Sequence, residues 1–152
     1  MAQANSPTSN RHDLYFEAVL QLREVSQEVV DYAEEEIYRL KVKVAKVVTL
    51  KNGFDYYLSD ISSTKKLGKS LQLKFGGQCL ITSSLWGVKK DREVHRVTVL
   101  YRGISFAKGS TVIYQGEEFE VKQMVKDILL QNIKTGKKVH VKYENMRDVK
   151  TS

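Results

Sequence analysis

Cys79 and His95 are the nearest this sequence comes to a nucleophile and its base. A thiol beside an imidazole can be deprotonated and attack an electrophilic carbon, provided a further group orients the ring. Both residues fall on segments read as neighbouring strands, but no orienting group and no phosphate-type loop accompanies them. Cys79 is the only cysteine, so the chain can form neither an internal disulfide nor a cysteine-rich zinc site. It is read as a small buried hydrophobe. The histidines, His12, His95 and His140, lack metal-ligand spacing. Glu34, Glu35 and Glu36 are consecutive, so on a helix they splay around the axis as a solvated face. The glycines match neither the phosphate-loop nor the dinucleotide-binding pattern. The expectation is a chain without enzymatic activity, metal or cofactor.

The cations form a better constellation. Phosphate recognition needs positive groups on a rigid support, because fixed lysines and arginines displace condensed counterions. Residues 53–77, GFDYYLSDISSTKKLGKSLQLKFGG, run from an aromatic strand into a helix bearing Lys65, Lys66 and Lys69. The segment GVKKDRE adds Lys89, Lys90 and Arg92, and the outward face of the next strand adds Arg96 and Arg102. Lys134, Lys137 and Lys138 flank a turn at Thr135-Gly136. Each cluster alone also fits a plain solvated surface. Together they point to RNA.

The charge distribution agrees. The 152 residues carry a net +7, but residues 1–40 hold 3 basic and 8 acidic side chains, and residues 41–152 hold 22 and 10. A basic body behind an acidic first segment is the footprint of a polyanion-binding protein. A protein–protein adaptor is the competing reading: the acidic helix at 26–40 would dock a basic partner, and the basic surface would only keep the protein soluble. No apolar run approaches the roughly 20 residues of a membrane span, and the polar start MAQANSPTSNRHD is no secretory signal. Residues 1–13 read as a flexible arm, and the lone cysteine suits a reducing, cytoplasmic setting.

The elements that must position these cations follow from periodicity. Residues 14–24 alternate, with Phe16, Ala18, Leu20 and Leu22 facing one way, as in a half-buried strand. Ser26 is placed to cap a helix whose Val29, Ala33, Ile37 and Leu40 share a face. Residues 41–50 fit a strand or a helical extension; a strand from about 42 is favoured, joined through Asn52-Gly53 to FDYYL. A second helix starts near Ser62 or Ser63, buries Leu67, Leu71 and Phe75, and stops at Gly76-Gly77. Strands at about 78–86 and 93–102 follow, with Val97, Val99 and Tyr101 facing inward. Beyond Gly103, turn signals at Lys108-Gly109, Gln115-Gly116, Lys126-Asp127 and Thr135-Gly136 separate short apolar runs. That spacing predicts a small antiparallel barrel of about five strands. The fold class is α+β: a β-α-β-β-α-β-β lobe over 14–102, then a barrel over 103–152.

The order LYFEAVLQLRE, GFDYYLSD, KKLGKSLQLKFGG, REVHRVTVLYR resembles the large-ribosomal-subunit export adaptor family named for nonsense-mediated decay factor three, in its archaeal-type arrangement. FAKGSTVIYQGEEFEVKQMVKDILLQNIKTGKKVHV is similar to the barrel that follows in that family. The resemblance implies a first lobe like the twenty-second eukaryotic-type ribosomal protein and an SH3-like barrel like half of translation factor five-A. It implies a non-catalytic factor that binds the large ribosomal subunit and its rRNA during late maturation. Ribosomal proteins are further expected partners, and a monomer is the expected state. Family members begin with a zinc module of paired CxxC motifs, which these residues do not include. The eukaryotic tail with transport signals is likewise not among them, so nuclear export is not carried over. Factor five-A has a modified lysine at a loop tip, and no lysine here matches it.

Overall fold

Alternation over residues 18–23 sets the centre of the molecule. In this computed structural model, which describes residues 15–89 and 92–151 (side chains of 86–94 excepted), Ala18–Arg23 form strand β1. Ala18, Leu20 and Leu22 are fully buried. Phe16 does not join that row: the strand begins two residues later, and Phe16 meets Tyr57 edge-on, ring centroids 4.9 Å apart. The expected arm at 1–13, Lys90, and the side chains of Lys89 and Arg92 lie outside the described residues.

Helix α1, Gln27–Arg39, starts where Ser26 Oγ accepts a hydrogen bond from the Val29 N–H, as its cap position predicts. Val29, Val30, Ala33 and Ile37 are buried, whereas Glu28, Asp31, Glu34 and Glu35 face solvent. Lys41 adopts a left-handed φ of 58°, which ends the helix and settles the ambiguous stretch as strand β2, Val44–Leu50. β2 turns back through Lys51-Asn52 into β3, Gly53–Leu58, with Leu50 opposite Gly53. The turn therefore sits one residue earlier than Asn52-Gly53. Gly53 is required for a different reason: a Cβ there would lie 1.8 Å from the Leu22 carbonyl oxygen of the neighbouring strand.

Helix α2, Ile61–Phe75, begins earlier than Ser62, because the Asp60 carboxylate accepts the Ser63 N–H at 2.7 Å and makes Asp60 the cap. It stops at Gly76, whose φ is 74°. Strands β4, Gln78–Lys89, and β5, Arg92–Arg102, then form one long hairpin. Most of GVKKDRE, expected as a loop, is paired strand; Lys89 opposite Arg92 is the last rung. Cross-strand hydrogen bonding pairs these residues without any need for an apolar pattern.

The first sheet runs β2-β3-β1-β5-β4, with β1 antiparallel to β3 and parallel to β5. α1 and α2 cover one face, enclosing Leu20, Leu22, Tyr56, Leu58, Leu67, Leu71, Val97, Val99 and Tyr101. β1 pairs with β5 only over Val97–Arg102, so among the described residues no third strand lies beside Ser84–Lys89 and Arg92–Arg96 of the hairpin.

The second sheet is an antiparallel series: β6 Thr111–Tyr114, β7 Glu117–Met124, β8 Ile128–Asn132, β9 Lys138–Val141 and β10 Val149–Thr151, in the order β10-β6-β7-β8-β9. Gln115 and Gly116, both at positive φ, make the tight turn from β6 to β7. β9 and β10 do not pair, so the five strands curl around a core without closing into a ring. A 3-10 turn, Tyr143–Asp148, spans that gap and inserts Tyr143 and Met146 among Val112, Phe119, Val121, Ile128, Leu130, Val141 and Val149. The two sheets meet where Gln78, 6% exposed, donates from Nε2 to the Glu144 carbonyl at 2.6 Å.

Candidate nucleic-acid interface

On α2, the 3.6-residue period separates two chemistries. Thr64, Leu67, Gly68 and Leu71 are buried, and Lys65, Lys66 and Lys69 are exposed. The fit onto the sheet is tight. A Cβ on Gly68 would lie 2.4 Å from Val99 Cγ1, and Thr64 Oγ1 donates to the Asp60 carbonyl at 2.7 Å. The lysine stems therefore leave from a fixed backbone. Lys74 extends the basic side of α2 and lies over Tyr32 at 5.4 Å and Phe75 at 5.7 Å from the ring centroids.

The lysine face has an acidic border. A cleft of about 240 Å³ between α1 and α2 is lined by Lys66 and Lys69 on one side and by Glu36 and Arg39 on the other. Arg39 binds Glu36 at 2.7 Å, holding its carboxyl below the usual carboxylate range, chiefly through that hydrogen bond. Local neutralisation of Glu36 by Arg39 leaves Lys66 and Lys69 as the uncompensated charges of this cleft.

Arg96 and Arg102 behave differently from the α2 lysines. The Arg96 guanidinium carbon lies 4.0 Å from the Phe16 ring centroid. Arg102 Nη1 donates to Glu24 Oε2 at 2.8 Å, and its side chain is only 16% exposed. Expected as open cations on an outward strand face, both are engaged within the protein. Lys89 and Arg92 close the β4–β5 ladder at an end where, among the described residues, no third strand pairs.

The 132–138 turn brings Lys134, Lys137 and Lys138 together, all exposed. Buried Asn132 organises it: its Oδ1 accepts the N–H groups of Lys134 at 2.8 Å and Thr135 at 3.0 Å, and its Nδ2 donates to Glu117 at 3.0 Å. Gly136, at φ 76°, donates its N–H to the Asn132 carbonyl. The turn is thus a preorganised basic loop. Sequence reading found its lysines but not Asn132, whose role depends on a long-range partner on β7.

The thiol–imidazole pair does not assemble. Cys79 stands opposite Tyr101 and His95 opposite Leu85, six residues apart along the same strand pair, or about 20 Å. Burial pushes the Cys79 thiol above its usual pKa, partly countered by Lys69. His140 Nδ1 lies 3.0 Å from the Asp127 carboxylate on an exposed surface. Glu34 is the acceptor for the Tyr56 hydroxyl at 2.7 Å, a structural duty for one of the three consecutive acids. Among the described residues no group of three or more His, Cys, Asp or Glu is placed to hold a metal ion, and no helix is long and apolar enough to cross a membrane.

Two basic places thus stand on rigid supports: the α2 face and the 132–138 turn. Among known proteins, no curated protein matches the chain. The family pattern described as the second domain of NMD3 matches residues 15–102, which is the entire first sheet with both of its helices. Since that match spans more than half of the sequence, the chain belongs to the NMD3 family, which is associated with the large ribosomal subunit.

Proposed function

We propose that this chain is a non-catalytic factor that binds the large ribosomal subunit and its rRNA during late subunit maturation. The observation that carries the reading is the exposed lysine face of α2, seated on a helix whose other side is locked into the core of a family-defining sheet. Cations held on a fixed backbone lose less conformational freedom on docking than cations on a mobile one. Lys65 and Lys69 lie one helical turn apart, so one docked strand of phosphates can engage both. The 132–138 turn supplies a second fixed patch on the other sheet. In this reading the first sheet with its helices is the ribosomal-protein-like lobe, and the second sheet is an SH3-like unit whose closing position is taken by the 3-10 turn.

The direct experiment is sedimentation of the purified chain with large and small ribosomal subunits as salt is raised. The protein should travel with the large subunit at low salt and be released progressively, with log affinity falling linearly against log salt. Equal affinity for both subunits, or no association at about 50 mM salt, where phosphate contacts are strongest, would overturn the reading.

A further inference from the structure

At the junction of the two sheets, the chain leaves β1 and β5 side by side. Glu24 follows β1 with a left-handed φ of 52°, a conformation that is strained for a non-glycine residue and that clusters at functional sites. Gly103 follows β5 and approaches so closely that a Cβ would lie 2.3 Å from the Glu24 carbonyl oxygen. This crossing leaves a cleft of about 340 Å³ between the sheets. Glu24 and Arg102 line it from the first sheet, and Arg147 and Lys150 line it from the 3-10 turn and β10. Phe106 contributes an apolar wall.

The charges do not cancel. Arg102 spends Nη1 on Glu24, while its Nε is buried with no hydrogen-bond partner. A buried donor without a partner is costly, so a small turn of the guanidinium that brings Nε to an acceptor in the cleft would relieve that cost. With Glu24 matched by Arg102, Arg147 and Lys150 remain as exposed positive charge at the same opening. The chemistry that satisfies an arginine Nε–H beside two further cations is a phosphoryl oxygen. The volume admits one nucleotide, with room for its base or sugar against Phe106.

We infer that the inter-sheet cleft lined by Arg102, Arg147, Lys150 and Phe106 takes a phosphate and its attached nucleoside from a single-stranded RNA. The inference rests on the RNA-binding reading above and adds a specific site to it. The cleft cations come from different segments, so the site exists only when both sheets are folded and joined. Glu24 keeps the Arg102 guanidinium in place and is a positioning residue.

The test uses the full chain and a fluorescent twelve-nucleotide oligouridine. The double variant Arg147→Gln, Lys150→Gln should bind it roughly tenfold more weakly and flatten the salt slope by roughly 0.7 to 1.4, the value for one or two single-strand phosphates. In the unmodified protein, the Arg102 Nε–H NMR signal should move when the oligonucleotide is added. The triple variant Lys65→Glu, Lys66→Glu, Lys69→Glu should still show that movement at saturating RNA. Unchanged affinity of the folded double variant with a static Arg102 signal, while the wild type binds RNA and subunits, would overturn the cleft and leave the functional reading standing. A wild type that binds neither RNA nor subunits would remove both. If free uridine monophosphate moves the Arg102 signal and the oligonucleotide does not, the cleft is a mononucleotide site and the RNA assignment fails.

Discussion

Gly68 of α2 faces Val99 of β5 so closely that a single added carbon would come within 2.4 Å of Val99 Cγ1 and 3.1 Å of Cys79 Sγ. Val99 is fully buried and branched at Cβ, so it cannot swing aside. This contact fixes how far α2 stands from the sheet and hence where Lys65, Lys66 and Lys69 project. Gly68→Ala would gain about 1 kcal/mol of helix propensity and incur about 1–3 kcal/mol of overpacking. The expected outcome is a net loss of up to about 2 kcal/mol by chemical denaturation, with weaker subunit binding than an exposed Ser62→Ala control. A stabilised Gly68→Ala protein would show that α2 can ride further out without consequence.

The first turn of α2 should depend on pH through Asp60. Its carboxyl lies below the usual range because the Ser63 side chain and N–H hydrogen-bond the charged form. A depressed folded pKa contributes stability above the unfolded value near 4 and loses it as pH falls through the folded value. Asp60→Ala should therefore cost about 1 kcal/mol at pH 6–7. The gap between the variant and wild type should shrink by about pH 2.5, below the ordinary carboxylate range. A gap that stays constant over that range would show that the carboxylate charge does not matter to the cap.

Cys79 gives a readout of whether the first sheet is intact. Its thiol is pushed above the ordinary value by burial, so little thiolate is present near neutral pH. Labelling by an aromatic disulfide reagent at pH 8 should be at least about tenfold slower in the native protein than in the urea-unfolded chain. Equal rates would place the sulfur in open, wet surroundings.

Much of this architecture is legible in the residues, and what escapes has identifiable reasons. The alternation Ala18, Leu20, Leu22 and the row Leu67, Leu71 report burial directly, because each period is set by its own backbone geometry. The Ser26 cap is visible for the same local reason. The α2 start is displaced because Asp60, Ser62 and Ser63 are all competent caps and only the folded backbone chooses between them. The outer half of the β4–β5 hairpin is hidden by its charges: VKKDRE has the composition of a loop, yet a two-stranded ladder needs only backbone pairing there. The turn Tyr143–Asp148 is likewise invisible as the element that occupies the gap between β9 and β10.

The candidate site divides along the same line. Exposed lysines on α2 and in the 132–138 turn could be located from helical period and turn chemistry. The engagement of Arg102 by Glu24 joins residues 78 positions apart, and that of Arg96 by Phe16 is equally non-local. Arg147 and Lys150 sit among acids in YENMRDVK and stand out only once β10 pairs with β6 and the sheets meet.

The central claim is that the α2 lysine face is a docking surface for large-subunit RNA. Its most direct test is the salt dependence of large-subunit binding by Lys65→Glu, Lys66→Glu, Lys69→Glu. Exposed changes of this kind usually alter stability by no more than about 0.5 kcal/mol each, so the fold should persist. If three phosphates are engaged there, the slope of log affinity against log salt should flatten by roughly 2 to 3, with affinity reduced at every salt concentration. A folded triple variant with wild-type affinity and wild-type slope would contradict the account and return these lysines to the role of a solvated surface.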